Sequence, residues 1–177
     1  DLTEGQRSVL DVLRSELSAT TPMHRMLQGE VGSGKTIVAL LAMAQMVDAG
    51  YQCALLAPTE VLATQHARSI RDVLGPLARA GEFDGVESST RVALLTGSMT
   101  SPQKREMREE IASGEAGIVV GTHALIQKTV EFRNLGLVVV DEQHRFGVAR
   151  AGFCRLKIPL RRDAGMRHHQ LFLFVNL

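Results

Sequence analysis

The sequence predicts an α/β fold: a mostly parallel central sheet with helices on both faces, in three layers. Three observations predict it. Apolar runs at residues 51–57, 118–120 and 135–140 are continuous rather than alternating, as in strands covered on both sides. These runs alternate with segments of helical periodicity. The residues that carry chemistry fall directly after the strand-like runs, where open parallel sheets bind their ligands.

Taken in order, residues 2–17 read as a helix, with Thr3 as its cap and Val9, Leu10, Val12, Leu13 and Leu17 as its apolar face. Residues 18–22 end it, and residues 23–27 form a short strand. A helix follows residue 36, with Ile37, Val38, Leu40, Leu41, Ala44 and Val47 recurring at helical spacing, and Gly50 stops it. The strand at 51–57 closes at Pro58. From Glu60 a helix places Leu62, Ala63, Ile70, Val73, Leu74 and Leu77 on one side until Pro76 kinks or ends it. Residues 81–90 are acidic and rich in Gly and Ser and read as a mobile surface loop far from the segments that follow the first and fifth strands. A strand at 91–96 follows, then a helix opening at Ser101-Pro102, where proline's missing N–H costs nothing, and closing at Gly114. Strands at 118–120 and 135–140 end at Gly121 and Asp141, and residues 171–175 fit a last strand.

Between the first strand and the second helix stands Gly29-Glu30-Val31-Gly32-Ser33-Gly34-Lys35-Thr36, which fits the phosphate-binding loop G-x-x-x-x-G-K-[ST]. Glycines allow positive φ, so successive N–H groups turn inward around an anion. Lys35 brings a cation to the β- and γ-phosphates, Thr36 offers a hydroxyl to Mg²⁺, and the helix start adds its positive dipole end. About a hundred residues later, Leu137-Val138-Val139-Val140 delivers Asp141-Glu142. Asp141 suits Mg²⁺, directly or through water, and Glu142 can orient and deprotonate an attacking water. Together the two stretches predict hydrolysis of a metal-bound nucleoside triphosphate, ATP-Mg²⁺. On residue type alone, Gln143 and His144 fit caps of the next turn, and His123 a packed loop residue.

The composition excludes other classes. The 177 residues are 45% hydrophobic, which suits one globular domain. No apolar run approaches the roughly 20 residues of a membrane span. Cys53 and Cys154 form neither a zinc pattern nor a disulfide framework, Cys53 reads as a small core residue, and the cytoplasm is the expected compartment. The six histidines show no metal-ligand spacing, so no zinc is expected. Net charge is +1, so any nucleic-acid contact must be local. The start at Asp1-Leu2-Thr3-Glu4 reads as that of a fragment.

At Asp141-Glu142-Gln143-His144 the chain resembles the superfamily 2 helicases, whose ATPase motifs are a D-E-x-H box and a phosphate-binding loop. Further motifs stand in the family's order. Leu2-Thr3-Glu4-Gly5-Gln6 resembles the segment whose glutamine contacts adenine. Ala57-Pro58-Thr59-Glu60 is similar to the motif that touches the strand backbone, and Thr96-Gly97-Ser98 and Gly121-Thr122-His123-Ala124 resemble two further strand-contacting motifs. Gln28 through Thr36, with Asp141-Glu142-Gln143-His144-Arg145-Phe146-Gly147-Val148, narrows the likeness to the RecG family of branch-migration helicases. Transcription-repair coupling factors are similar but carry Phe at the place of Ser33 and Glu at that of Gln143.

The resemblance covers roughly residues 2–148 and implies a RecA-like ATP-binding domain over 1–149, the first motor domain of a DNA helicase. It implies adenine contact by Gln6, phosphate binding from Gly29 to Thr36, and catalysis by Lys35, Glu142, Gln143 and His144. It further implies DNA contact by Pro58, Thr59, Glu60, Thr96, Gly97, Gly121, Thr122 and His123. A second motor domain with its arginine fingers and a wedge domain for branched DNA lie outside the chain. Missing arginine fingers cost on the order of 10³–10⁵ in rate, so the isolated domain is expected to hydrolyse ATP weakly or not at all. A module that binds nucleotide without turnover and an RNA-directed motor are the competing readings. The end of the chain departs from the family: residues 150–167 hold six Arg or Lys against one acid, and Phe174-Val175-Asn176 stands where Thr-Ala-Thr is expected. The basic run reads as a solvated tail.

Overall fold

The computed structural model describes residues 3–17, 24–28, 34–78, 89–141 and 171–175. Six strands form one sheet: β1 (His24–Leu27), β2 (Gln52–Leu56), β3 (Arg91–Leu95), β4 (Ala116–Gly121), β5 (Leu135–Asp141) and β6 (Leu171–Val175). Their order across the sheet is β1-β6-β5-β2-β4-β3, and every pairing is parallel. The last strand expected from the sequence therefore forms, and it lies between β1 and β5, with Leu27 opposite Val175 and Asp141 opposite the same residue.

Helices α1 (Glu4–Leu17), α2 (Lys35–Asp48) and α3 (Glu60–Leu74) cover one face, and α4 (Ser101–Ser113) covers the other. Every residue of β2, β4 and β5 is buried, which explains their unbroken apolar character. Side chains alternate across the sheet. Cys53, Leu55, Ile118, Val120, Leu137 and Val139 meet α1, α2 and α3. Ala54, Leu56, Val119, Leu135, Val138 and Val140 meet Ile111 of α4 together with Leu125, Val130 and Phe132.

Local signals place most boundaries. Thr3 and Gln6 form a reciprocal cap on α1: the Gln6 N–H donates to Thr3 Oγ1 (3.3 Å) and the Thr3 N–H to Gln6 Oε1 (2.9 Å). Thr59 Oγ1 caps α3 by accepting from the Leu62 N–H at 3.3 Å. Gly114 ends α4 in the left-handed region at φ 87°. The expected faces need three corrections. Val12 of α1 is 50% exposed. Ile37 and Leu41 of α2 are each 38% exposed, whereas the expected Val38 and Leu40 are buried and Ala39, Ala42, Met43 and Met46 complete the inward stripe. Val73 is 60% exposed and Leu77 44%. Val73 sits at the margin of the stripe in the last turn, and Leu77 lies beyond Gly75, where a 3₁₀ turn breaks the helical phase.

At the N-terminal ends of the strands, the buried Gln52 acts as a clasp. Its Nε2 donates to the carbonyls of Ile111 (2.9 Å) and Ala116 (2.8 Å), and its Oε1 accepts from the Asn134 N–H (3.0 Å). Thr90 precedes β3 at this same end, opposite to the ends that follow β1 and β5, and accepts there from the Gly117 N–H. Of the expected mobile loop, residues 81–88 lie outside the described residues. Among the described residues, no helix is long and apolar enough to cross a membrane.

Candidate nucleotide and strand-contact site

Because the strands are parallel, the segments after β1, β2, β3, β4 and β5 emerge at one edge of the sheet. Gly34 stands there in the left-handed region at φ 79°, directly before α2, and its carbonyl accepts the N–H groups of Ile37 (3.0 Å) and Val38 (3.2 Å). Lys35 is the first residue of α2 and is buried, and Thr36 beside it is exposed. The rest of the expected phosphate loop, Gly29, Glu30, Val31, Gly32 and Ser33, lies outside the described residues. Gln6 reaches this loop: a Cβ on Gly34 would overlap its side-chain amide. Glycine at position 34 therefore answers both to its backbone angle and to the close approach of α1.

Asp141 closes β5 and is wholly buried. By strand alternation from Leu137 and Val139 it faces the side of the sheet that carries α2 and α3. Its Oδ2 lies 2.9 Å from Nε2 of His66, a residue of α3 that the sequence reading passed over. Glu142, Gln143 and His144 lie outside the described residues. The donor set of Asp141 carboxylate and Thr36 hydroxyl consists of hard oxygens, which suits Mg²⁺. Such sites draw their remaining ligands from water and phosphate, so one or two protein oxygens fit the ion.

The expected strand contacts divide by exposure. Thr59, Gly97, Ser98 and His123 are exposed, whereas Thr96, Gly121 and Thr122 are buried. The hydroxyl of Thr59 is engaged in capping α3. Gly121 allows the end of β4 to pass close to its neighbours, since a Cβ there would overlap the Leu95 carbonyl oxygen and crowd Leu125. Glu60 points inward to the next turn, accepting from the Ser98 N–H at 2.9 Å. Hydrogen bonding by Ser98, first through its side chain and then through its backbone with that of Gly97, holds this carboxyl below its ordinary value. The Lys104 ammonium adds attraction and partial burial opposes. Lys104 in turn donates to the Gly97 carbonyl. Glu60 and Lys104 thus bind the turns after β2 and β3 into one surface, with the backbone of Gly97 and Ser98 held between them.

A family model described as DEAD/DEAH box helicase matches residues 3–160. This chain belongs to that family. The chain is 67% identical over 173 residues to the ATP-dependent DNA helicase RecG of Mycobacterium tuberculosis strain H37Rv, covering 98% of this chain and 23% of that protein. It is 47% identical over 156 residues to the RecG of Streptococcus pneumoniae, covering 88% of this chain and 21% of that protein. The chain thus spans less than a quarter of the length of these curated relatives. Among solved structures, RecG bound to a three-way DNA junction shares 35% identity with a TM-score of 0.75, over 99% of this chain and 21% of that one. A hypothetical ATP-dependent RNA helicase from Sulfolobus tokodaii, at 19% identity and a TM-score of 0.63 over 100% of this chain and 46% of that one, shares the fold.

Proposed function

We propose that this chain is the first, ATP-binding motor domain of a RecG-like DNA helicase, in which hydrolysis drives unwinding of branched DNA, fork reversal and branch migration. The observation that carries the reading is the placement of Lys35 and Asp141. One opens α2 and the other ends β5, at the same edge and on the same face of the sheet. The likeness to RecG proteins supports the choice among helicases.

In this reading Gln6 contacts adenine, and the segment from Gly29 to Thr36 cradles the phosphates, with Lys35 as its cation. Thr36 and Asp141 hold Mg²⁺, directly or through water. The ion supplies charge neutralisation on the phosphate oxygens. Glu142 orients the attacking water and takes its proton, with Gln143 and His144 completing the box. The turns at Pro58-Thr59, Gly97-Ser98 and Thr122-His123 meet the phosphates of one DNA strand without reading its sequence. Glu60 and the buried Thr96 and Gly121 shape those turns from behind. A second motor domain and a branch-recognising wedge domain, which complete the machine, belong to the part of the protein beyond this chain.

Lys35→Ala removes the cation from the phosphate cradle. ATP-Mg²⁺ at a hundredfold above Kd is expected to stabilise the parent by about 2.7 kcal/mol, and the variant far less at the same concentration. Equal thermal shifts in the two proteins would overturn the nucleotide site. In the whole protein, Glu142→Gln keeps shape and hydrogen bonding but cannot take a proton. DNA-stimulated hydrolysis is expected to fall by about 10²–10⁴ with ATP binding retained. Turnover at the parent rate would place the base elsewhere.

A further inference from the structure

The inward stripe of α3 is interrupted by one polar residue. Ala63, Ala67 and Ile70 lie against the sheet and are buried, with both alanines fully inaccessible. His66 stands among them at helical spacing, and its side chain is only 13% exposed. Two alanines on either side keep the helix close to the strands, so the imidazole spans from α3 to the end of β5. There it meets the carboxylate of Asp141, whose side chain has no accessible surface. The contact joins residues 75 apart in sequence. A carboxylate drawn out of water needs hydrogen bonds to remain there. An ionised carboxylate only accepts, so this bond places a proton on Nε2 and makes His66 the donor.

We propose that His66 is a positioning residue for the nucleotide site. By holding Oδ2, it fixes the torsions of Asp141 and so sets the direction in which the carboxylate presents Oδ1 to Mg²⁺. This rests on the reading of Asp141 as a metal ligand given above. Ligating carboxylates are commonly oriented in this way, and removal of such an outer partner typically lowers metal affinity by 10–100-fold. A purely structural contact between α3 and the sheet predicts something different: lower stability with an unchanged response to the metal.

The test measures ATP affinity as a function of Mg²⁺ in the native protein, with EDTA as the metal-free reference. In His66→Ala the half-saturating Mg²⁺ is expected to rise at least about tenfold, while ATP affinity in EDTA matches the parent. His66→Gln, whose amide nitrogen reaches the place of Nε2, is expected to restore the response, and His66→Asn, which is too short, is not. On an Asp141→Asn background, His66→Ala is expected to add nothing further. Parent-like Mg²⁺ dependence in His66→Ala, or full additivity in the double variant, would overturn the proposal. If His66→Ala does not fold, equal Mg²⁺ responses in the Gln and Asn variants would overturn it as well. Failure of the underlying reading is distinguishable: Asp141→Asn would then keep the parent's Mg²⁺ dependence, whatever happens at His66.

Discussion

Glu60 accepts a hydrogen bond from the turn after β3, in the position where the resemblance implied contact with DNA. An anion is a poor partner for a phosphate, and the structure gives the carboxylate an internal use. Its native pKa lies below the ordinary value near 4.5, chiefly through Ser98. The stabilisation is therefore fully present above the unfolded-state pKa and is lost as pH falls through the depressed native value. Glu60→Gln is expected to flatten the acid limb of melting temperature against pH, by a small amount because the group is solvent-screened. An acid limb identical to the parent's would show that the latch contributes nothing. Cys53 makes a second case. It is fully inaccessible, and burial pushes its thiol far above the ordinary range. In a Cys154→Ser background, a thiol reagent is expected to label Cys53 only on unfolding, and prompt labelling of the native chain would contradict the packing.

At the scale of elements, the strand ends rather than the strands carry the candidate site, and their tolerance to change differs. Gly121 ends β4 where a Cβ would overlap the backbone oxygen of Leu95, which cannot swing aside as a side chain tip can. Gly121→Ala is expected to cost about 1–3 kcal/mol in denaturant unfolding. A stable variant with weakened DNA binding would return Gly121 to the strand-contacting surface. Phe132, fully buried against the face that carries α4, holds the segment between β4 and β5 in place. The helix caps are more forgiving, since losing the Thr59 hydroxyl removes one hydrogen bond worth about 1 kcal/mol. The sheet-facing side of α3 is the more sensitive one, because the Ala63 and Ala67 surfaces set how near His66 comes to Asp141.

The whole molecule depends on a strand contributed from the far end of the described chain. β1, which leads into the proposed phosphate loop, pairs with β6, and β6 pairs with β5. Removal of residues 169–177 is expected to leave β1 without its hydrogen-bonded neighbour and to separate Lys35 from Asp141. The shortened chain should lose the ATP-induced thermal shift and unfold at lower denaturant. An unchanged shift would mean that β1 is held by its helices alone. This architecture also explains how β6 pairs on both sides although Phe174 and Val175 stand where the resemblance leads one to expect other residues, since ladder pairing uses backbone groups.

The sequence alone determined the fold class, the strand and helix boundaries to within a residue or two, and, through its motifs, the helicase family. Those features follow from local rules: glycine at positive φ, proline at a helix start, continuous apolar runs in a parallel sheet, and fixed spacing in a phosphate loop. Tertiary structure decided what depends on residues distant in the chain. The insertion of β6 between β1 and β5, the clasp formed by Gln52, the use of Glu60 as an internal latch and the burial of Thr96 and Thr122 have no local pattern. His66 left one trace, a polar residue inside an apolar helical stripe, which signals a buried partner without naming it. Only the packing of α3 across the sheet could supply Asp141, because hydrogen bonds between distant segments are fixed by the geometry of closure and not by spacing along the chain.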